Sequence, residues 1–399
     1  MNFNLCARWL ALSGVILFTG RLERQAAGAS PASQRIDVFG VAKLTPIAVV
    51  GCPPEVASVL KFDLELSGFK IADPETASYI VTGAVNEGQL EARLKLRNSP
   101  VALFAKAYRA SNMRGQANMR GQAHALSDDI VLKLTGQNGI AQTRIAYKAE
   151  LGSTSEIYVA DYDGHNAVQV TQDNSLVAAP TWAPGRRLLY YTSYKFDNPD
   201  IFYHDLDSGA RAAVSRYSGL NGSPAISTTG KMAMVLSKGG SPDIYVADLN
   251  GANLKQLTFT PEDESSPCWS PDGQWICYAT KIRERRSLMK IPASGGTPQR
   301  IAIDGAINPS EPDWSPDGKS IIFTCQRADF ELCIVPAEGG VATTLVPGED
   351  PSWAPNSRTV IFTRRKNGRR FLSLLDVGTK HLKDVAQLSG NCSQPSWAK

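Results

Sequence analysis

Chemistry in a protein needs particular side chains at particular spacings, and this sequence offers few such sets. Only four histidines occur in 399 residues, His124, His165, His204 and His381, and they are scattered, which argues against multi-histidine metal chemistry. The G-x-S-x-G nucleophile elbow, the G-x-x-x-x-G-K-[ST] phosphate loop and the H-E-x-x-H zinc helix are all absent. Asp161-Tyr162-Asp163-Gly164-His165-Asn166 superficially resembles the start of a calcium loop. No glutamate follows at the place where such a loop needs its bidentate ligand, so the stretch reads better as a hairpin turn. No catalytic set, cofactor or metal is therefore expected, although carboxylates near a channel leave a cation possible.

Charge and composition narrow the class further. Lys and Arg number 42 against 38 Asp and Glu, a net charge of +4, so polyanion or nucleic-acid binding is not the main theme, though a local basic patch remains open. A 43% hydrophobic chain with 33 Gly and 24 Pro is globular and rich in turns.

The elements that must position any site fall into three segments. Residues 9–20 (WLALSGVILFTG) form an apolar run shorter than the about 20 residues of a membrane span. With the small residues Ala27-Gly28-Ala29 after it, the run reads as a secretory signal covering residues 1–29. Its removal leaves six cysteines, Cys52, Cys268, Cys277, Cys325, Cys333 and Cys392. In an exported protein these permit two cross-strand disulfides, Cys268–Cys277 and Cys325–Cys333.

Residues 30–142 alternate strand and helix signals, as expected of an α/β module. A strand is expected over Pro46–Gly51, a helix over Pro54–Ser67 stopped by Gly68, and strands over Tyr79–Val85, Leu90–Leu96 and Val101–Tyr108. A second helix is expected over Ala123–Leu134. Just before it, Asn112–Ala117 (NMRGQA) is duplicated as Asn118–Ala123, to which no function is attached.

Residues 143–399 are organised by a repeat. PTWAPG, PAISTTG, PCWSPDG, PDWSPDG, PSWAPNS and PSWAK place markers at Trp182, Ile226, Trp269, Trp314, Trp353 and Trp397. The intervals are 44, 43, 45, 39 and 44 residues, the period of a four-stranded propeller blade. Proline and glycine of S-P-D-G set the hairpin between strands a and b, and the tryptophan is a buried anchor between neighbouring sheets. Residues 144–171 supply strands b, c and d without an a, while Gln394–Ala398 supply an a alone. The two fragments complete one blade, closing a ring of six and removing its edges. The third blade, with Ile226 for tryptophan and no Pro-Asp, is expected to be irregular. With the repeat reaching residue 399, no appended hydrolase domain is expected.

The signal, the α/β module, the P-x-W-S-P-D-G blades and the stretch joining module and propeller together resemble the TolB family of periplasmic Tol–Pal components. That joining stretch is the most specific part: His124-Ala125 to Asp129, Leu134-Thr135-Gly136 and Gly139 to Tyr147. The resemblance implies a periplasmic binding protein that works as a monomer within a complex and serves envelope integrity and cell division. It implies docking of the peptidoglycan-associated lipoprotein (Pal) at one mouth of the channel, and of TolA or other inner-membrane Tol proteins through the amino-terminal segment Arg35-Ile36-Asp37-Val38, by strand addition or by tucking into a cleft. Carried over residue by residue, lipoprotein contacts fall on Leu220-Asn221-Gly222-Ser223 and on Ser265. Leu220 stands where the family often has histidine. Glu264, Glu311 and Asp350 occupy comparable pre-strand positions and could add polarity to the rim. The alternative is a propeller-based periplasmic hydrolase or lyase acting on glycan or peptide, since the fold hosts both.

Overall fold

The computed structural model describes residues 44–109 and 119–399. The signal, the segment Arg35–Val38 and the first NMRGQA copy lie outside the described residues.

The α/β module carries a five-stranded sheet in the order β2-β1-β3-β4-β5. Its elements are β1 (Thr45–Val50), α1 (Pro54–Leu66), β2 (Phe69–Ile71), β3 (Tyr79–Asn86), β4 (Gln89–Leu96), β5 (Ala102–Tyr108) and α2 (Met119–Thr135). The parallel pairs β1–β2 and β1–β3 need crossovers, and α1 supplies the first. Strict alternation along β4 puts Leu90, Ala92 and Leu94 into one core with Val56, Leu60 and Leu64 of α1 and Leu126 and Ile130 of α2. Two features depart from the sequence reading. The three-residue β2 was too short to show a period, and α2 starts at Met119, inside the second NMRGQA copy. Gln122 of that copy accepts the Leu90 N–H at 2.8 Å and donates to the Gly88 carbonyl at 3.0 Å, which ties the helix to the β3–β4 turn.

Six four-stranded blades follow, as the repeat requires. In blade one, strand a is Asn391–Trp397 and strands b to d are Arg144–Leu151, Thr154–Asp161 and Val168–Gln169. Blades two to six have their a strands at Val177–Trp182, Asn221–Ile226, Ser265–Trp269, Ser310–Trp314 and Glu349–Trp353. The five tryptophans are buried, and three of their indole N–H groups stitch blades together. Trp182 donates to Ser396 O (3.2 Å), Trp269 to Ala225 O (2.9 Å) and Trp353 to Asp313 O (3.2 Å), each on the neighbouring strand a. Trp314 instead closes its own turn at Gly318. Blade three keeps four regular strands. Where its tryptophan is missing, the flexible side chains Met232 and Met234 fill the interface with Tyr190 and Tyr245.

The cysteine expectation is corrected. Cys268 and Cys277 do face each other in the ladder, but Cys268, Cys277, Cys325 and Cys333 are all free thiols, buried as small apolar groups between blades four and five.

A buried polar cluster seats the module on blade one, and Lys383 of blade six pairs with Glu65 of α1. Asp63 of α1 accepts the Tyr162 hydroxyl (2.5 Å) and His124 Nδ1 (2.8 Å). Asp163, in the c–d turn of blade one, pairs with Arg120 and with both His124 Nε2 (3.4 Å) and His165 (3.2 Å). The DYDGHN stretch is therefore a domain clasp, and His165 is part of it rather than a bystander in a turn. Tyr162 also stacks on Trp397, at 5.9 Å between ring centroids. Burial alone would lower the His124 pKa, but hydrogen bonds and charge from Asp163 and Asp63 outweigh it and hold the imidazole at about 10.

A histidine raised in the fold stabilises fully below its ordinary value near 6.5, and that stability fades as pH climbs through about 10. His124→Gln is expected to lower the melting temperature most near pH 6, by the equivalent of about 3–5 kcal/mol, because it strands buried carboxylates. Differential scanning calorimetry should show the gap between variant and wild type closing toward pH 10. A gap independent of pH would contradict the clasp.

Candidate functional site

One residue in every strand a stands immediately before a proline with left-handed backbone: Ala179 (φ 49°), Ser223 (49°), Ser266 (51°), Glu311 (51°), Asp350 (54°) and Gln394 (50°). Proline forbids the residue before it an easy helical conformation, and in all six blades the a–b register slips at this point. Each is a β-bulge that re-aims a side chain, here into the central channel. The channel, a cavity of about 460 Å³, is lined by the six bulge residues and by the prolines that follow them.

The bulges also form a hydrogen-bonded belt. Glu311 Oε2 accepts the Asp350 N–H (3.0 Å), Asp350 Oδ2 accepts the Gln394 N–H (3.2 Å), and Gln394 Oε1 accepts the Ala179 N–H (2.9 Å). Threonines of strand b reinforce it: Thr324 donates to Glu311 (2.7 Å) and Thr363 to Asp350 (3.0 Å). Burial, then the neighbouring charges of Glu311 and Glu349, push the Asp350 carboxyl up to about 7.

The candidates read from sequence thus separate into two sets. Ser223, Glu311 and Asp350 line the channel. Asn221 and Glu264 sit two residues before the bulge and are buried, at 0% and 2% exposure, so neither adds polarity to the rim. Asn221 uses its side chain on Ser215, Tyr217 and Gly219, shaping the loop into blade three. Glu264 accepts hydroxyls from Thr260 (2.6 Å) and Thr258 (3.0 Å), and burial and Asp243 raise it to about 7. Gly222 is buried, and Leu220 and Ser265 are half-buried beside these loops.

Because strands alternate in direction, b–c turns and d–a loops share one end of the ring, and a–b and c–d turns the other. The clasp at Tyr162 and Asp163 puts the α/β module at the a–b end. The opposite mouth carries exposed apolar side chains absent from the sequence reading: Leu176, Tyr194, Phe196, Tyr217, Phe259 and Ile307. Phe259 is 75% exposed. Arg216 lies 4.6 Å over the Phe196 ring and Lys238 Nζ 4.1 Å over Tyr217, holding those rings in place. Leu176, Tyr217, Phe259 and Ile307 are apolar residues placed between strands, where turns need none, while Tyr194 and Phe196 end strand b of blade two.

Comparison with known proteins agrees with this architecture. The TolB beta propeller domain family matches residues 131–399. Tol-Pal system protein TolB of Francisella tularensis is 30% identical over 338 residues, covering 78% of this chain and 76% of its own. This chain belongs to the TolB family. A second TolB, from Dechloromonas aromatica, is 30% identical over 226 residues, covering 49% of this chain and 52% of its own. In fold, the crystal structure of TolB from Acinetobacter baumannii superposes with a TM-score of 0.80 at 23% identity, covering 90% of this chain and 98% of that one. Membership makes the protein a component of the Tol–Pal system, and the six-bladed ring is the TolB propeller.

The raised Asp350 carboxyl gives the belt a pH signature. A carboxylate raised in the fold supports stability below its ordinary value near 4, and that support is lost as pH rises through about 7. Asp350→Asn keeps an acceptor for Thr363 and Gln394, so its melting temperature relative to wild type should rise between pH 4 and pH 8. A constant difference across that range would contradict the assignment.

Proposed function

We propose that this protein is a periplasmic adaptor that carries no chemistry of its own. The mouth away from the α/β module docks the peptidoglycan-associated lipoprotein, and the segment Arg35–Val38 engages TolA or another inner-membrane Tol protein. The adaptor thereby links the outer-membrane lipoprotein to the inner-membrane complex in the service of envelope integrity and cell division.

The observation that carries this reading is the rim of exposed apolar side chains around one mouth. Such a patch fits a protein interface, in which a few aromatic anchors supply most of the affinity. Beneath the rim the bulge belt is rigid and polar, with its hydrogen bonds satisfied inside the ring. Membership of the Tol–Pal system supplies the partner class.

Phe259→Ser combined with Phe196→Ser is expected to weaken binding of the lipoprotein's periplasmic domain by at least tenfold in isothermal titration calorimetry. Val341→Ser, an equally exposed apolar position away from the mouth, should leave binding unchanged. Deleting residues 30–43 should spare lipoprotein binding and abolish recovery of TolA from envelope extract. Equal loss in the Val341 variant, or none in the rim variant, would overturn the assignment of this mouth.

A further inference from the structure

The same mouth is electrically lopsided. The b–c hairpin of blade four, residues 281–286, reads Lys-Ile-Arg-Glu-Arg-Arg, and that of blade six, residues 364–370, reads Arg-Arg-Lys-Asn-Gly-Arg-Arg. Together they hold nine cations and one carboxylate in a chain whose overall charge is nearly balanced.

Three of the nine are used inside the fold. Arg365 clamps Glu349 through two hydrogen bonds of 2.7 Å, Arg370 reaches Glu150 (2.8 Å), and Arg364 reaches Asp384 (3.0 Å). The other six, Lys281, Arg283, Arg285, Arg286, Lys366 and Arg369, are exposed, and no ion pair to them occurs among the described residues.

Their placement works against the fold. Lys281 is the direct cross-strand partner of Arg286, and Lys366 of Arg369. Like charges opposite each other on a ladder destabilise it. The blade-four tip is also strained: Arg283 (φ 50°) and Glu284 (φ 66°) are both left-handed, in a two-residue turn. Blade six solves the same turn with Asn367-Gly368, the pair suited to that geometry. Two self-repelling hairpins at a binding mouth, one of them strained, point to a role outside the folded chain.

Resting on the docking reading above, we infer that the protein docked at this mouth presents an acidic face, and that the hairpins of blades four and six grip its carboxylates while the aromatic side of the rim takes its apolar anchor. A ring around a concave channel suits a convex protein surface better than a flat bilayer, and the free guanidinium groups of Arg283, Arg285, Arg286 and Arg369 are forks matched to carboxylates. Exposed rim charges steer encounter, so the effect belongs mainly in the association rate and in its salt dependence.

The test uses the full chain, two double variants, Arg285→Ala/Arg286→Ala and Lys366→Ala/Arg369→Ala, and their combination. These remove unpaired charges only, so the melting temperature should hold or rise. Binding of the lipoprotein's periplasmic domain is followed by surface plasmon resonance over a salt series. Each double variant is expected to weaken binding by about tenfold, chiefly in association, and to flatten the salt dependence. Wild-type binding that ignores salt and survives the combined variant within twofold overturns the acidic-face inference and leaves the docking reading intact. Absence of binding by wild type at any salt overturns both. A combined variant that loses binding to phosphatidylglycerol vesicles but keeps the lipoprotein assigns the hairpins to a lipid surface and overturns the inference as well.

Discussion

Everything in this structure hangs on one long-range strand pairing. Asn391–Trp397 must find Arg144–Leu151, with Asn391 hydrogen-bonded to Glu150 across 241 residues of chain. Until that pairing forms, two blades present unpaired edges and the channel has no closed wall. The closing strand also finishes the domain clasp, because Trp397 donates to Thr143 (2.8 Å) and stacks on Tyr162, which in turn holds Asp63 of the module. Ring closure and seating of the α/β module are therefore one event in energetic terms, sharing the cluster that contains Leu66, Ile361 and Trp397.

Within the closed ring the same local device recurs six times. The residue before a proline takes an uncommon left-handed backbone conformation, and the resulting bulge turns that side chain inward. Strain of this kind persists only where surroundings over-determine it. Here the belt from Glu311 through Asp350 and Gln394 to Ala179 supplies that determination on half the ring. The channel wall is thus stiff, and chemical variety is left to the loops at the free mouth. Exposed aromatic side chains run round that rim from blade two to the loop entering blade four, where they adjoin the cationic hairpins of blades four and six.

Much of the fold was legible in the sequence because a large side chain and a turn signature recur at a nearly constant interval. Trp182 to Trp397 and their flanking prolines gave the blade count, and the split blade followed from an unpartnered strand at each end. Less of the site was legible. Glu264, Glu311 and Asp350 were read together as pre-strand positions, yet Glu264 stands five residues before its tryptophan and the other two stand three, so Glu264 lies two residues ahead of the bulge and points into the fold. The bulge always directly precedes the proline, but nothing in the sequence marks that residue as the one turned inward. Asp63 and Tyr162 are 99 residues apart, so their meeting leaves no local pattern. The rim aromatics belong to loops of different blades, and only the alternation of strands gathers them at one end. Cys268 and Cys277 are direct cross-strand partners, whereas the register sets Cys325 opposite Glu331 and Cys333 opposite Phe323, and neither pair is bonded.

The central claim is that partner recognition belongs to the mouth opposite the module. Hydrogen–deuterium exchange of the full chain, with and without the lipoprotein's periplasmic domain, tests it most directly. The account predicts new protection in the loops carrying Phe196, Tyr217, Phe259, Arg285 and Lys366, with the a–b turns at Asp272 and Asp317 unchanged. Protection centred on those a–b turns, with the loops of the free mouth still exchanging as before, would contradict it.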